Sequence, residues 1–315
     1  MPIQESYRDL KKCIVAFVSK YIQVWDENDP LPQFPPIVGT GFIVREDGII
    51  ATNAHVVRAF KKVMRPDDAP KDEWPVAALL FKHTDKGVVE VPLEVLGVAV
   101  IGGFQHGKAY YGPKEGPDIA FVHVKAKGLP TVQIDNDSLI EEGMEVATAG
   151  FPLGTDALTA PGWLHQITPT LQRGIISAVM PFSCPTPHAY SVNIMTQGGA
   201  SGSPVFSCES GKVQGILYAG LHDFDITIKQ KDLYRVPTNI SYVVPSHYLS
   251  NCMKELEKDK EMVPPPDART LERIIEEAEF VDRVEKGPGY VLKKVPEVTK
   301  PHEKVYLEKP EESEH

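Results

Sequence analysis

The chain has 315 residues, of which 42% are hydrophobic and 24% are charged, a balance typical of a folded globular protein. Its 33 Lys and Arg residues against 43 Asp and Glu residues give a net charge of −10, which argues against a nucleic-acid-binding protein because phosphate contacts need a basic face. No apolar run reaches the roughly 18 residues that a transmembrane helix needs.

Cysteine usage and the first apolar run bear on the cellular compartment. Four cysteines are too few for a disulfide-built scaffold, and none of them forms a C-x-x-C pair. The run Cys13–Val18 is shorter than the apolar core of about 7–15 residues in a secretory signal. We therefore expect this run to be a buried strand and the protein to be cytoplasmic.

Short runs rich in Val and Ile, separated by Gly, Pro, Asp and Asn, fill the chain up to residue 244. This pattern predicts an all-β barrel or sandwich. The runs are Cys13–Val18, Gly41–Val44, Ile49–Thr52, Val89–Val98, Ile119–Val124, Glu145–Ala149, Gly174–Val179, Val192–Met195, Val205–Cys208, Gly215–Ala219 and Ser241–Val244. Helical periodicity begins only at Ser246, a candidate N-cap for a helix to about Met262.

The composition changes near residue 250. Charged residues rise from 47 of the first 250 to 29 of the last 65, and Pro264–Pro266 adds a stiff break. A second helix is predicted from Asp267 to Gly287, followed by a short strand over Tyr290–Val295. The helix has one apolar stripe, formed by Leu271, Ile274, Ile275, Ala278, Val281 and Val284. Because a short isolated helix is marginal in water, we expect this stripe to pack on the body or on a second copy of the chain.

The segment 39–57 reads as a strand, a turn at Asp47-Gly48, a second strand, and then His55. A histidine held at the rim of a sheet is well placed to act as a base. The alternative is a core or capping histidine, which is the more common role of a lone histidine.

Asp118 stands immediately before the apolar run Ile119–Val124. A carboxylate at the start of a buried strand can reach a neighbouring loop. Taken alone, Asp118 is an ordinary solvated turn residue.

The loop Gly198–Ser203, called the nucleophile loop below, places Ser201 between glycines. Glycines permit a tight bend that exposes the hydroxyl and points successive N–H groups into one concavity, as an oxyanion requires. A flexible loop and a phosphate cradle are the alternatives. A phosphate loop would continue into a helix, whereas Pro204 and a β-type run follow here.

Together these segments resemble the trypsin-like serine peptidases of the chymotrypsin fold, and most closely their bacterial HtrA/DegP-like branch. The matching motifs are T-N-A-H-V at 52–56, D-I-A-F-V at 118–122 and G-A-S-G-S-P at 199–204. Further similarity lies in A-G-F-P-L-G at 149–154, G-I-I-S-A-V at 174–179, G-I-L-Y-A at 215–219 and V-P-S-H-Y-L at 244–249. The resemblance covers roughly residues 10–256.

The resemblance implies an all-β fold of two six-stranded antiparallel barrels. Residues 1–125 would form the first barrel, residues 126–262 the second barrel with its closing helix, and residues 263–315 a charged tail. This tail is too short and too charged for the PDZ domain that usually follows the protease in the HtrA branch. The tail is also a candidate surface through which two copies of the chain could associate.

The resemblance also implies a serine endopeptidase that acts on polypeptides through an acyl-enzyme, without a metal or cofactor. His55, Asp118 and Ser201 would be the catalytic triad, and the N–H groups of Gly199 and Ser201 the oxyanion hole. The substrate-binding walls would be Met195, Thr196, Gln197, Gly198, Leu217, Tyr218, Ala219 and Gly220.

Three departures from the family pattern stand out. Ala200 occupies the position where the family usually has Asn or Asp, Ser203 replaces a commoner Gly, and the segment between His55 and Asp118 is long. Ala200 and the long segment favour an alternative function, a catalytically weak or inactive protease fold that serves as a binding module.

Overall fold

The computed structural model describes residues 2–24, 36–67, 69–84, 87–101, 116–152, 168–196, 198–226, 233–257, 262–277, 279–282, 291–294 and 303–306. Two closed barrels, each of six antiparallel strands, form the body, as the resemblance to the trypsin-like peptidases implies. The first barrel contains β1 (Ile14–Ser19), β3 (Ile37–Arg45), β4 (Ile49–Thr52), β5 (Val76–Thr84), β6 (Gly87–Val100) and β7 (Ala120–Val124). These strands pair in the order β1–β3–β4–β7–β6–β5.

The second barrel pairs its strands in the order β10–β11–β14–β13–β12–β9. Its strands are β9 (Glu145–Gly150), β10 (Thr170–Met180), β11 (Ala189–Val192), β12 (Pro204–Ser207), β13 (Val213–Ile226) and β14 (Leu233–Pro245). The nucleophile loop enters β12 directly, so the loop is tied to the barrel wall at its C-terminal end.

Three apolar clusters account for the body of the structure. One draws buried residues from all six strands of the first barrel, and another from all six strands of the second. The remaining large cluster joins the two barrels, with Phe42 and Phe121 from the first packed with Phe151 and Phe206 from the second. The barrels therefore share an apolar interface, and the residues on it cannot move independently.

Four α-helices occur among the described residues: α1 (Ile3–Leu10), α2 (Ala54–Phe60), α3 (Ser246–Leu256) and α4 (Leu271–Glu277). The predicted closing helix is present as α3 but is shorter than expected. Its N-cap is Pro245, and Ser246 is the first helical residue. The Ser246 hydroxyl donates to the Asp135 carbonyl, so the prediction of a Ser246 side-chain cap is wrong.

The tail helix is also shorter than its apolar stripe predicts. Helix α4 stops at Glu277, and residues 279–282 form a strand that pairs with Val291–Lys294, where a strand is predicted. Ala278 and Val284 lie outside the described residues. Leu271 and Ile274 are buried in the cluster of the first barrel, which anchors the helix to the body.

Short strands attach the tail at several places. The elements are β2 (Tyr21–Val24), β8 (Ala126–Lys127), β15 (Arg269–Thr270), β16 (Glu279–Asp282), β17 (Val291–Lys294) and β18 (Glu303–Tyr306). β15 pairs in parallel with β8, and β18 pairs in parallel with β2. Lys125 adds an ion pair of 2.7 Å with Asp267 at the first of these junctions.

Candidate active site

His55 lies in the first turn of helix α2, directly beyond the end of β4. Ala54, Val56, Val57 and Phe60 are buried in the core of the first barrel and fix this helix against it. Because these residues occupy the inner face, the His55 side chain is directed outward and is 44% exposed. The helix thus holds an accessible imidazole on a rigid element.

Asp118 is brought to His55 by the pairing of β4 with β7. Thr52 pairs with Ala120 in this antiparallel ladder, so the residues just beyond the pair also face each other. His55 Nδ1 lies 2.5 Å from Asp118 Oδ2, and the His55 N–H donates to Asp118 Oδ1 at 3.0 Å. The Asn53 amide donates to the Asp118 carbonyl at 2.8 Å, which fixes the main chain there.

The nucleophile loop meets the first barrel close to His55. Gly202 has φ +88°, and a Cβ added there would lie 2.4 Å from Thr52 Oγ1 and 2.0 Å from the Thr40 carbonyl oxygen. Thr52 is the last residue of β4 and three residues before His55, so the loop packs against the strand end that leads into helix α2. Ser201, next to Gly202, is partly exposed at this junction.

Ser201 and His55 belong to the two segments that meet at this junction. No hydrogen bond joins the Ser201 hydroxyl to the imidazole among the residues that the structure describes. Catalytic hydrogen bonds are often loose before substrate binds, so this geometry is compatible with a nucleophile and its base.

Two main-chain donors of the nucleophile loop are available to a ligand. Within the described part of the chain, no acceptor takes the N–H of Gly199 or of Ser201. Gly199 adopts φ +89°, a left-handed conformation that favours glycine. Unpaired N–H groups beside a serine hydroxyl can stabilise the negative oxygen of a tetrahedral intermediate.

The residues predicted to form the substrate walls are placed unequally. Met195 is exposed, whereas the Thr196 hydroxyl is buried and bonded to the Ser241 hydroxyl at 2.7 Å. Leu217 is buried in the interior of the second barrel. The side chains of Thr196 and Leu217 therefore face the interior, and the assignment of their segments to the substrate-binding walls stays a prediction. Gln197 lies outside the described residues.

Tyr218 is the wall residue with the clearest electrostatic link to the site. Its ring centroid lies 6.4 Å from that of Tyr242. Burial raises the pKa of the Tyr218 phenol, and Tyr242 and the negative charge of Asp118 raise it further. The phenol therefore stays neutral at ordinary pH and can offer a hydrogen-bond donor.

The remaining predicted wall residues lie at the surface. Gly198 is exposed, and Ala219 and Gly220 are partly exposed.

Four residues of the site were not predicted from the sequence. Thr40, Thr52, Asn53 and Ser203 all bind the main chain of the candidate catalytic segments. A signal for two of them existed, because Thr52 and Asn53 directly precede His55 in the T-N-A-H-V motif. Thr40 and Ser203 carry no such signal, since their partners are set by the packing of the two barrels.

The described residues contain no group of three or more His, Cys, Asp or Glu side chains that could hold a metal ion. In the same part of the chain, no helix has both the length and the apolar character needed to cross a membrane.

Comparison with known proteins identifies relatives of the body. The trypsin-like peptidase domain family matches residues 39–216. A probable periplasmic serine endoprotease, DegP-like, from Halomonas elongata is 26% identical over 179 residues, which are 57% of this chain and 28% of the relative. The protein of the same name from Pseudomonas fulva is 28% identical over 182 residues and is covered to the same extent.

Two solved protease structures are also similar to this chain. The serine endoprotease from Yersinia pestis has a TM-score of 0.48 and 17% identity, covering 82% of this chain and 68% of that one. The HtrA-type protease AlgW with a tripeptide has a TM-score of 0.47 and 16% identity, covering 81% and 64%.

The curated relatives are much longer than the matched region. The chain spans only 28% of their length. Their names place them in the periplasm, which contradicts the expectation of a cytoplasmic protein. That expectation rested on the absence of a recognisable signal sequence, and it is wrong.

Proposed function

The chain belongs to the trypsin-like peptidase family, as its motifs predict, and on this premise we propose that it is a serine endopeptidase with the triad His55, Asp118 and Ser201. The observation that carries the proposal is the double contact of His55 with Asp118, through the ring at 2.5 Å and the main chain at 3.0 Å. This double contact orients the imidazole, and the partly exposed Ser201 on the adjoining loop supports the choice of nucleophile.

Acylation begins when Ser201 Oγ attacks the carbonyl carbon of the scissile peptide bond. His55 Nε2 takes the hydroxyl proton, while Asp118 holds the Nδ1 side of the ring and stabilises the imidazolium. The oxygen of the tetrahedral intermediate receives hydrogen bonds from the N–H groups of Gly199 and Ser201. One such donor contributes on the order of 10²–10³ in kcat.

The intermediate then collapses with cleavage of its C–N bond. His55 returns its proton from Nε2 to the leaving amine, and the acyl group remains on Ser201 as an ester. In the second half of the reaction, water attacks the ester carbonyl and gives its proton to His55. Cleavage of the ester C–O bond then releases the carboxylic acid product, and the proton passes back to Ser201.

The substrate class follows from the relatives. They are named endoproteases, so we propose that this chain cleaves within polypeptides and, like them, acts in the periplasm. The exposed imidazole at the junction of the barrels is accessible to an extended chain, which supports this choice.

Covalent labelling provides the direct test. A fluorophosphonate probe should label the wild-type protein, and Ser201→Ala and His55→Ala should abolish both labelling and casein hydrolysis. Ser210→Ala, which removes an exposed serine outside the site, is the matched control and should label like the wild type. Casein hydrolysis that persists in Ser201→Ala would overturn the proposal.

A binding module with a protease fold is the second candidate. It is favoured by Ala200, where the family usually has Asn or Asp, and by the long segment between His55 and Asp118. If this candidate were correct, the wild-type protein would bind unfolded casein in sedimentation experiments without cleaving it and would not react with the probe.

A further inference from the structure

Three successive carbonyl groups of the nucleophile loop accept hydrogen bonds from two residues. The Gly199 carbonyl accepts from Thr40 Oγ1 at 2.7 Å. The Ala200 carbonyl accepts from Ser203 twice, from its hydroxyl at 2.6 Å and from its N–H at 3.1 Å. The Ser201 carbonyl accepts from the Thr40 N–H at 3.0 Å. The acceptors of the loop are thus satisfied inside the protein.

The planarity of the peptide bond links these carbonyls to the oxyanion donors. In a trans peptide, the N–H points opposite to the C=O of the same unit. Fixing the Ala200 carbonyl therefore fixes the direction of the Ser201 N–H. Fixing the Gly199 carbonyl restrains the peptide that adjoins the Gly199 N–H. The Ser203 hydroxyl thus supports the peptide that carries the Ser201 N–H, and the Thr40 hydroxyl restrains the peptide next to the one that carries the Gly199 N–H.

The two hydroxyls are themselves held in place. Thr40 and Ser203 are both almost completely buried, and Thr40 Oγ1 also accepts the Phe151 N–H at 3.1 Å. Gly150 leaves the space they need, because a Cβ added there would lie 1.9 Å from Ser203 Oγ and 3.0 Å from Thr40 Oγ1. Both side chains are thus enclosed by protein and held by hydrogen bonds.

Ala200 also gives the loop an apolar anchor. Its methyl group is buried in the core cluster of the second barrel, so this position needs no polar brace of its own. Ser203, where a glycine is more usual in the family, supplies a hydroxyl at the point where the Ala200 carbonyl needs a donor. The two departures from the family pattern are thus complementary in space.

We infer that the hydroxyls of Thr40 and Ser203 position the oxyanion donors of Gly199 and Ser201 for catalysis. This inference rests on the proposed function, because it assigns to the two side chains a role in the same reaction. Thr40 and Ser203 are positioning residues, since each acts through a main-chain carbonyl and not on the substrate itself.

The test compares Ser203→Ala and Thr40→Val, which remove the hydroxyls, with Thr40→Ser, which keeps one. Thr148→Val is the matched control, because the buried Thr148 hydroxyl donates at 2.9 Å to the Pro204 carbonyl, outside the loop. For each purified protein we would measure kcat and KM on a fluorogenic casein-derived peptide and the inhibition constant of a peptide boronic acid, whose tetrahedral adduct occupies the oxyanion site. Thermal melting would report folding.

Misplaced catalytic groups cost about 10²-fold in rate, so we expect Ser203→Ala and Thr40→Val to lose about that factor in kcat and in boronate affinity, with KM nearly unchanged. Thr40→Ser should resemble the wild type, and Thr148→Val should lose thermal stability but keep its kcat. If Thr40→Val fails to fold, Ser203→Ala decides the question against the same control.

The outcomes separate this inference from the proposed function. An active wild-type protein whose Ser203→Ala variant matches Thr148→Val in kcat and boronate affinity would overturn the positioning role alone. A wild-type protein that neither reacts with the fluorophosphonate probe nor cleaves peptide would overturn the proposed function, and the positioning role with it.

Discussion

His55 is bound to Asp118 by its ring and by its main chain at the same time, with one carboxylate oxygen for each contact. The contact through the main chain ties the carboxylate to the first turn of helix α2. The contact through the ring then sets the direction of the imidazole relative to that helix. One side chain therefore fixes both the position and the orientation of the candidate base.

Replacing Asp118 by Asn should preserve the fold and remove most of the activity. The amide cannot accept hydrogen bonds at both positions, so the imidazole would favour the wrong tautomer, and kcat should fall by about 10⁴-fold. Casein hydrolysis by purified Asp118→Asn measures the effect. The exposed Asp137→Asn is the control and should be fully active. Normal activity in Asp118→Asn would assign the role to another carboxylate.

Replacing Gly202 by Ala should destabilise the protein. The left-handed backbone alone costs about 1–3 kcal/mol for a residue with a Cβ. The added atom would also lie 2.0 Å from the Thr40 carbonyl oxygen, so the two barrels would have to shift apart. Urea unfolding should show the loss. In the matched Gly97→Ala, where a Cβ meets no atom within 4 Å, the free energy of unfolding should change little.

Replacing Ile274 by Ala tests whether the tail helix is part of the folded body. Ile274 is buried in the cluster of the first barrel, so the substitution should cost about 2–5 kcal/mol of unfolding free energy. Glu276→Ala, on the exposed side of the same helix, should be neutral. Sedimentation of a chain truncated after Met262, compared with that of the full chain, would show whether the tail contributes to self-association. Equal unfolding curves for wild type and Ile274→Ala would mean that the tail is solvated.

The stability of the protein should fall as the pH is lowered from about 6.5 to about 4. Burial, and to a lesser extent the nearby His188, lowers the pKa of His247 from 6.5 to about 4. In this pH range the His247 imidazole binds a proton in the unfolded chain but not in the native state, so the free energy of unfolding decreases as the pH falls. Burial lowers the pKa of His123 in the same direction.

Urea unfolding at a series of pH values measures this effect. His247→Gln should show a smaller decrease between pH 6.5 and 4 than the wild type, while the contribution of His123 remains in both proteins. Parallel curves for the two proteins would show that His247 does not titrate with a lowered pKa.

Cleavage should occur after small or medium apolar residues. The predicted wall residues that the structure describes include Met195 and Tyr218 but no carboxylate. They therefore offer no negative charge to bind a Lys or Arg side chain of the substrate. Mass-spectrometric mapping of cleavage sites in a proteome-derived peptide library provides the measurement. A map dominated by Lys and Arg before the cut would contradict this expectation.

Much of the fold could be predicted because strands leave a local pattern. Alternating residues of β1 enter different clusters, Val15 and Phe17 in the first barrel and Ile14 and Ala16 at the interface of the barrels. Such a strand appears in the sequence as a continuous apolar run. The end of helix α4 could not be predicted, because its apolar spacing continues past Glu277 whereas residues 279–282 pair with another strand.

The candidate triad could be proposed from the sequence because each of its members lies in a short motif. The residues whose hydroxyls hold the nucleophile loop, Thr40 and Ser203, could not be predicted. Thr40 and Gly199 are 159 positions apart, and their hydrogen bond exists only because the two barrels pack together. Ser203 appears in the sequence as a minor substitution for glycine, and only the direction of its hydroxyl shows what it holds.

Thr40 connects the integrity of the molecule to its chemistry. The residue belongs to a strand of one barrel, yet it binds the loop that precedes β12 of the other. A molecule whose barrels have come apart loses these bonds, and with them the shape of its own nucleophile loop. Damaged copies of a protease are dangerous to their neighbours if they stay active. On the proposed function, a molecule whose barrels begin to separate would lose its activity through the same movement.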